Sequence, residues 1–65
     1  MITVYKTTTS PTDGAAIFEL RGLSTDTKPT DEYIGFTVGN GSTYYEINTG
    51  KLFMFNAEAS TWIEQ

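Results

Sequence analysis

The stretch from Gly41 to Trp62, GSTYYEINTGKLFMFNAEASTW, constrains the fold more than any other part of the chain. Two short runs rich in aromatic and branched residues, Tyr44 to Ile47 and Leu52 to Phe55, flank Asn48, Thr49 and Gly50, which are residue types that turns require. The pattern predicts a β-hairpin. Asn48 and Thr49 suit the centre of a type I turn, and Gly50 suits the left-handed position after it, where the missing Cβ removes the steric penalty. Alternation divides the hairpin into two faces. On the first strand Thr43, Tyr45 and Ile47 share one side and Tyr44 and Glu46 the other; on the second, Lys51, Phe53 and Phe55 oppose Leu52 and Met54. Apolar groups therefore stand on both sides of Leu52 to Phe55, the pattern of a strand covered twice, so something beyond the hairpin has to cover its second face.

The remaining segments extend a β reading. Ile2 to Lys6 alternates as a short strand, an edge or an arm added to a neighbour, and Thr7 to Gly14 collects turn residues into an exposed loop. Ala15 to Leu23 contains good helix formers but is short for an unsupported helix. As a strand it places Ala16, Phe18 and Leu20 on a core side and Ile17, Glu19 and Arg21 on the other. Ser24 to Glu32 is a polar connection in which Pro29 keeps Lys28 extended. Tyr33 to Val38 reads as a strand with Ile34, Phe36 and Val38 inward, and Gly39-Asn40-Gly41 as a hairpin turn into Thr43. The loop Asn56 to Ser60 leads to a last strand, Thr61 to Glu64, that carries Trp62.

The expected fold is all-β: one antiparallel meander of about five or six short strands, sandwich- or barrel-like, continuous from Tyr33 to Trp62. Residues 1–65 form a single domain, with a strand or arm and polar loop over 1–14 and the β core over 15–65. Phe18, Leu20, Ile34, Phe36, Ile47 and Met54 are the expected core, with Trp62 packed on the hairpin.

Function is bounded mainly by exclusion. Without His or Cys, the chain lacks imidazole acid–base chemistry, Ser-His-Asp and Cys-His nucleophile systems and the usual zinc ligands. Asp26, Asp31 and Glu32 do not have the spacing of a cation-binding loop, and the glycines at the predicted turns do not precede a helix as a phosphate cradle requires. No catalytic residue, cofactor or metal is expected. A net charge of −4 with four basic residues opposes binding to phosphate backbones. No apolar run reaches the eighteen or so residues of a membrane span, and the start Met1-Ile2-Thr3-Val4-Tyr5 lacks the features of a secretion signal, so synthesis in a cytoplasm is expected.

A chain of 65 residues buries only about 60% of the surface exposed by its unfolded form, and no disulfide is available to compensate. Association, or docking on a larger assembly, is the expected remaining source of stability, with a monomer that folds alone as the alternative. Tyr44, Phe53, Phe55 and Trp62 are the interface candidates, because aromatic groups bury large areas for little lost rotamer freedom.

The sequence Gly-Ser-Thr-Tyr-Tyr-Glu, then Asn-Thr-Gly-Lys-Leu-Phe-Met-Phe-Asn, then Thr-Trp after a short polar loop resembles the TYY…TGKLY.Y…W module of structural proteins from tailed bacteriophages and prophages. With the lead-in Gly22 to Thr30, the likeness spans roughly Gly22 to Gln65, although the run Tyr33 to Val38 is additional to the usual pattern. It implies a capsid decoration, head-fibre or tail-associated protein, located on the virion after synthesis in the bacterial host. The expected partners are other copies of the chain, with a trimer slightly favoured over a dimer, and the major capsid or another virion protein. The alternative is a tail-associated or surface module that binds a carbohydrate or receptor, such as a host-surface glycan. The resemblance carries over no catalytic residue.

Overall fold

In the computed structural model, which describes residues 1–65, the chain forms seven strands and no helix. These are β1 (Thr3–Thr9), β2 (Ala16–Gly22), β3 (Glu32–Tyr33), β4 (Phe36–Thr37), β5 (Thr43–Glu46), β6 (Leu52–Asn56) and β7 (Thr61–Glu64). Five make one open sheet in the order β1-β2-β5-β6-β7, while β3 and β4 form a separate hairpin. The all-β class expected from the sequence is the observed one.

The arrangement departs from a continuous meander at one junction. β2 and β5 pair in parallel, Leu20 opposite Tyr44 and Arg21 opposite Tyr45, whereas every other adjacent pair is antiparallel. A parallel pair needs a crossover, and residues 23–42 supply it. The turn around Asn40 and Gly41 therefore returns the chain to β2 and does not close a hairpin with β4. Ser42 secures the junction: its buried hydroxyl accepts from the Phe18 N–H at 3.0 Å and donates to the Gly39 carbonyl at 2.8 Å.

Tyr33 to Val38 is likewise not one strand. Ile34 and Gly35 have φ of 45° and 87°, making the two-residue turn between β3 and β4. Positive φ at both central positions matches the right-handed twist of paired strands. Gly35 takes this conformation readily; Ile34 takes it against its β-branched preference. Consequently Ile34 and Phe36 are exposed, contrary to their expected place in the core, and only Val38 of that run is buried, bridged to Ala16.

Two further core expectations fail for geometric reasons. Ile47 lies beyond β5 in the turn, and Met54 points to the side of β6 that the crossover does not reach; both are exposed. At the other end, β1 runs through Thr7–Thr9, which the sequence assigns to a loop, because these threonines pair with Ala16, Ile17 and Phe18. β1 is thus an edge strand of its own sheet.

The core consists of Ala16, Phe18, Leu20, Val38, Tyr44 and Phe55, with Ile2, Val4, Tyr33, Phe53, Ala57 and Trp62 packed around it. All of it lies on the face covered by the crossover. The β5–β6 hairpin closes as its sequence predicts: Gly50 has φ 74°, and its N–H donates to the Glu46 carbonyl at 2.8 Å.

Candidate interaction surface

The crossover holds the covered face through polar side chains as well as packing. The Lys28 ammonium donates to Glu46 Oε2 at 2.6 Å while lying 4.8 Å from the Tyr44 ring centroid and 4.4 Å from that of Phe53. Thr49 donates to the other Glu46 oxygen at 2.6 Å. Trp62 Nε1 donates to the Pro29 carbonyl at 2.8 Å, and the Tyr44 hydroxyl to the Leu23 carbonyl at 2.9 Å.

These contacts bury two of the four interface candidates, Tyr44 and Phe55, and leave Phe53 and Trp62 partly exposed. Tyr44 and Phe55 are 0% and 3% exposed, and Phe53 and Trp62 are partly buried beside them. Trp62 packs on Phe55 with centroids 5.0 Å apart and on Tyr44 edge-on at 6.1 Å. The structure brings all four together, but as the interior of a single chain: the crossover excludes any second chain from the faces of Tyr44 and Phe55. Trp62 does pack on the hairpin as expected.

The opposite face of the sheet has no cover. The alternate residues of the same strands stand on it: Tyr5, Ile17, Tyr45, Leu52, Met54 and Ile63. Tyr45, Leu52 and Met54 are each 41% exposed, Ile63 48% and Tyr5 63%. Tyr45 beside Leu52 and Met54 beside Ile63 form a cluster across β5, β6 and β7 that differs from scattered surface hydrophobes, and such patches mark contact sites. The sequence signal for them was the parity of Tyr45, Leu52 and Met54, opposite in facing to Tyr44, Phe53 and Phe55; choosing by aromatic type missed it.

Charge and shape on this face are local. Arg21 stacks on the Tyr5 ring at 4.1 Å, and Glu19 sits two residues before it on the same side of β2. Together with Thr43, Tyr45 and Leu52 they border a shallow hollow of about 380 Å³. Lys6 and Arg21 stand here with Glu19, and Glu58 borders the Met54–Ile63 end of the face, so opposite charges are balanced on it.

The titratable groups are engaged in holding the fold. The Lys28 hydrogen bond, followed by that of Thr49, holds the Glu46 carboxyl below the ordinary carboxylate range. The Leu23 N–H, followed by the chain's terminal amine, does the same for Asp26. Burial, followed by the charges of Asp26 and Glu46, raises the Tyr44 phenol. An ionised carboxylate occupied by two donors is a poor general acid. No three of the acidic side chains converge as a metal-binding group.

No protein-family model matches the chain, and no characterised protein or solved structure matches it significantly.

Proposed function

We propose that this chain is a non-catalytic structural protein of a tailed-bacteriophage virion, situated on the head and working as a homo-oligomer. The observation that carries the association is the uncovered apolar face around Tyr45, Leu52, Met54 and Ile63, four of the ten large hydrophobic side chains that stay exposed in a domain with only ten buried residues. Support for the viral setting is the resemblance of Gly22 to Gln65 to small virion modules, an analogy of sequence. The net charge of −4 suits a protein whose remaining surface meets solvent.

Quantitative mass spectrometry of purified particles tests the setting. Hundreds of copies per particle, retained on heads separated from tails, are expected; absence from particles overturns the reading. A second reading is favoured by the hollow bordered by Glu19, Arg21, Thr43 and Tyr45, since an aromatic ring beside short polar and charged groups is suited to a saccharide. Glycan-array binding that is lost in Tyr45→Ala, by a protein present at a few copies on tails, would replace the first reading with this one.

A further inference from the structure

The open face carries a pattern that specifies its own complement. Strand register sets its side chains in two rows across the sheet. One row holds Glu19, Thr43, Met54 and Ile63; the next holds Arg21, Tyr45 and Leu52. We propose that two copies of this chain pack these faces together about a two-fold axis that runs across the strands between the rows, forming a two-sheet sandwich. Such an axis exchanges the rows. Glu19 of each copy then meets Arg21 of the other, the small Thr43 meets the large Tyr45, and Met54 meets Leu52. Opposite charges, unequal volumes and apolar groups are matched at once. The hollow over Thr43 is the space that the second copy's Tyr45 ring would occupy.

Other arrangements of copies fit less well. A two-fold axis along β5 would lay Glu19 and Arg21 over Met54 and Leu52, removing charges from water against apolar partners. Addition at the sheet edges is opposed by the bulge between Val4 and Lys6 and by Lys6 itself in β1, and by the four-residue length of β7. A three-fold ring cannot pair one face with itself, whereas a two-fold closes that contact in a single step. Lys6 and Arg21 offset Glu19 and Glu58 on this face, so two copies can approach through it without strong repulsion. Strand spacing and rise give each copy on the order of 400 Å² in plan. Side-chain relief raises this towards the ~600 Å² per partner at the lower limit of stable interfaces, the size of a weak, reversible contact.

The inference rests on the reading of the open face as a contact surface and names what covers it. Sedimentation equilibrium between about 10 and 500 µM would show a monomer–dimer equilibrium. Glu19→Arg, which sets arginine against Arg21 twice per dimer, should weaken it at least about tenfold, and Glu19→Arg with Arg21→Glu should restore it to within about threefold. Thr43→Tyr should fill the hollow in both copies and give a folded monomer, with the circular dichroism and tryptophan emission of the parent. A monomer at about 500 µM, or an oligomer of any order that ignores Glu19→Arg, would overturn the inference. A monomer abundant on heads would overturn it and leave the virion role standing; a dimer absent from particles would do the reverse.

Discussion

Gly22 is a position where the usual effect of replacing glycine should reverse. It ends β2 with no positive φ, and glycine-to-alanine changes at such positions ordinarily stabilise by about 0.4–1 kcal/mol through the unfolded chain. In this fold a Cβ on Gly22 would stand 2.3 Å from the Tyr44 hydroxyl oxygen, 3.0 Å from the carbon that bears it and 3.1 Å from Asp26 Oδ2. The ring has no room to retreat. It is fully buried, bonded through its hydroxyl to the Leu23 carbonyl, edge-on to Trp62 and beneath the Lys28 ammonium. Overpacking of this kind costs about 1–3 kcal/mol, and displacing the hydroxyl from Leu23 adds about 1 kcal/mol. Gly22→Ala should therefore destabilise by about 1–3 kcal/mol after the entropic gain is deducted. Tyr44→Phe alone should cost about 1 kcal/mol, and because it removes the atom nearest the new methyl, the double variant should be more stable than the sum of the singles by about 1–2 kcal/mol. Urea unfolding followed by Trp62 fluorescence at one fixed protein concentration measures all four corners, the fixed concentration preventing association from shifting the midpoint. Strict additivity, or a gain of stability in Gly22→Ala, would refute the claim that Tyr44 is locked between the sheet and the crossover.

Ile34→Asn should raise stability by about 0.5–1 kcal/mol, because Asn-Gly suits a turn with two positive φ values and Ile34, φ 45°, buries little there; an unchanged or lower thermal midpoint would refute it. Trp62→Phe should cost about 1–2 kcal/mol through the lost bond to the Pro29 carbonyl and reduced contact with Phe55, and amide exchange should quicken over residues 28–33 before elsewhere. Glu46 and Asp26 both titrate below the ordinary values of 4.5 and 3.8, so as pH falls the unfolded chain takes up protons first; their stabilisation is whole above those values and is lost as pH drops through the lowered ones. Glu46→Gln should flatten that acid limb in a pH series of urea midpoints. Tyr44 titrates above 10.0, so its contribution is whole below that value and is lost as pH rises through the raised one, an alkaline step that Tyr44→Phe should abolish.

Local pattern made most of the sheet legible. The Asn48–Gly50 hairpin, the inward parity of Ala16, Phe18 and Leu20 and the closing strand with Trp62 all follow from short-range residue chemistry, which acts the same way wherever the strands end up. Pairing partners at a distance were not legible. Nothing in Gly39-Asn40-Gly41 distinguishes a turn that closes a hairpin from one that ends a crossover, because both need the same compact backbone. The strand Tyr33 to Val38 was misread for a related reason. Ile34 argues for extended structure and Gly35 for a turn, and tertiary packing of Tyr33 edge-on against Phe18 at 5.6 Å accompanies the turn. On the candidate surface, parity correctly separated the two faces of β6, but which face the chain would cover depended on where the crossover lay.

That placement has a physical cause. A polar segment such as Ser24 to Thr30 cannot cap a sheet by burying apolar side chains of its own, because it has none. It can do so where the sheet offers rings and acceptors, since a lysine ammonium is attracted to aromatic faces and needs an anionic partner once partly desolvated. The face with Tyr44, Phe53 and Trp62 offers both, through its rings and through Glu46, and Lys28 engages them there, while Val38 and Tyr33 of the same crossover pack into the core beside them. The crossover covers this face and leaves bare the other, where Leu52, Met54 and Ile63 surround Tyr45 and where Glu19 and Tyr5 flank Arg21. An aliphatic sheet face is best covered by another of the same kind, because the gain there is non-directional burial that needs no polar partner. The contacts that tie Lys28 down thus accompany a sheet whose other face, with Tyr45, Leu52, Met54 and Ile63, stays exposed.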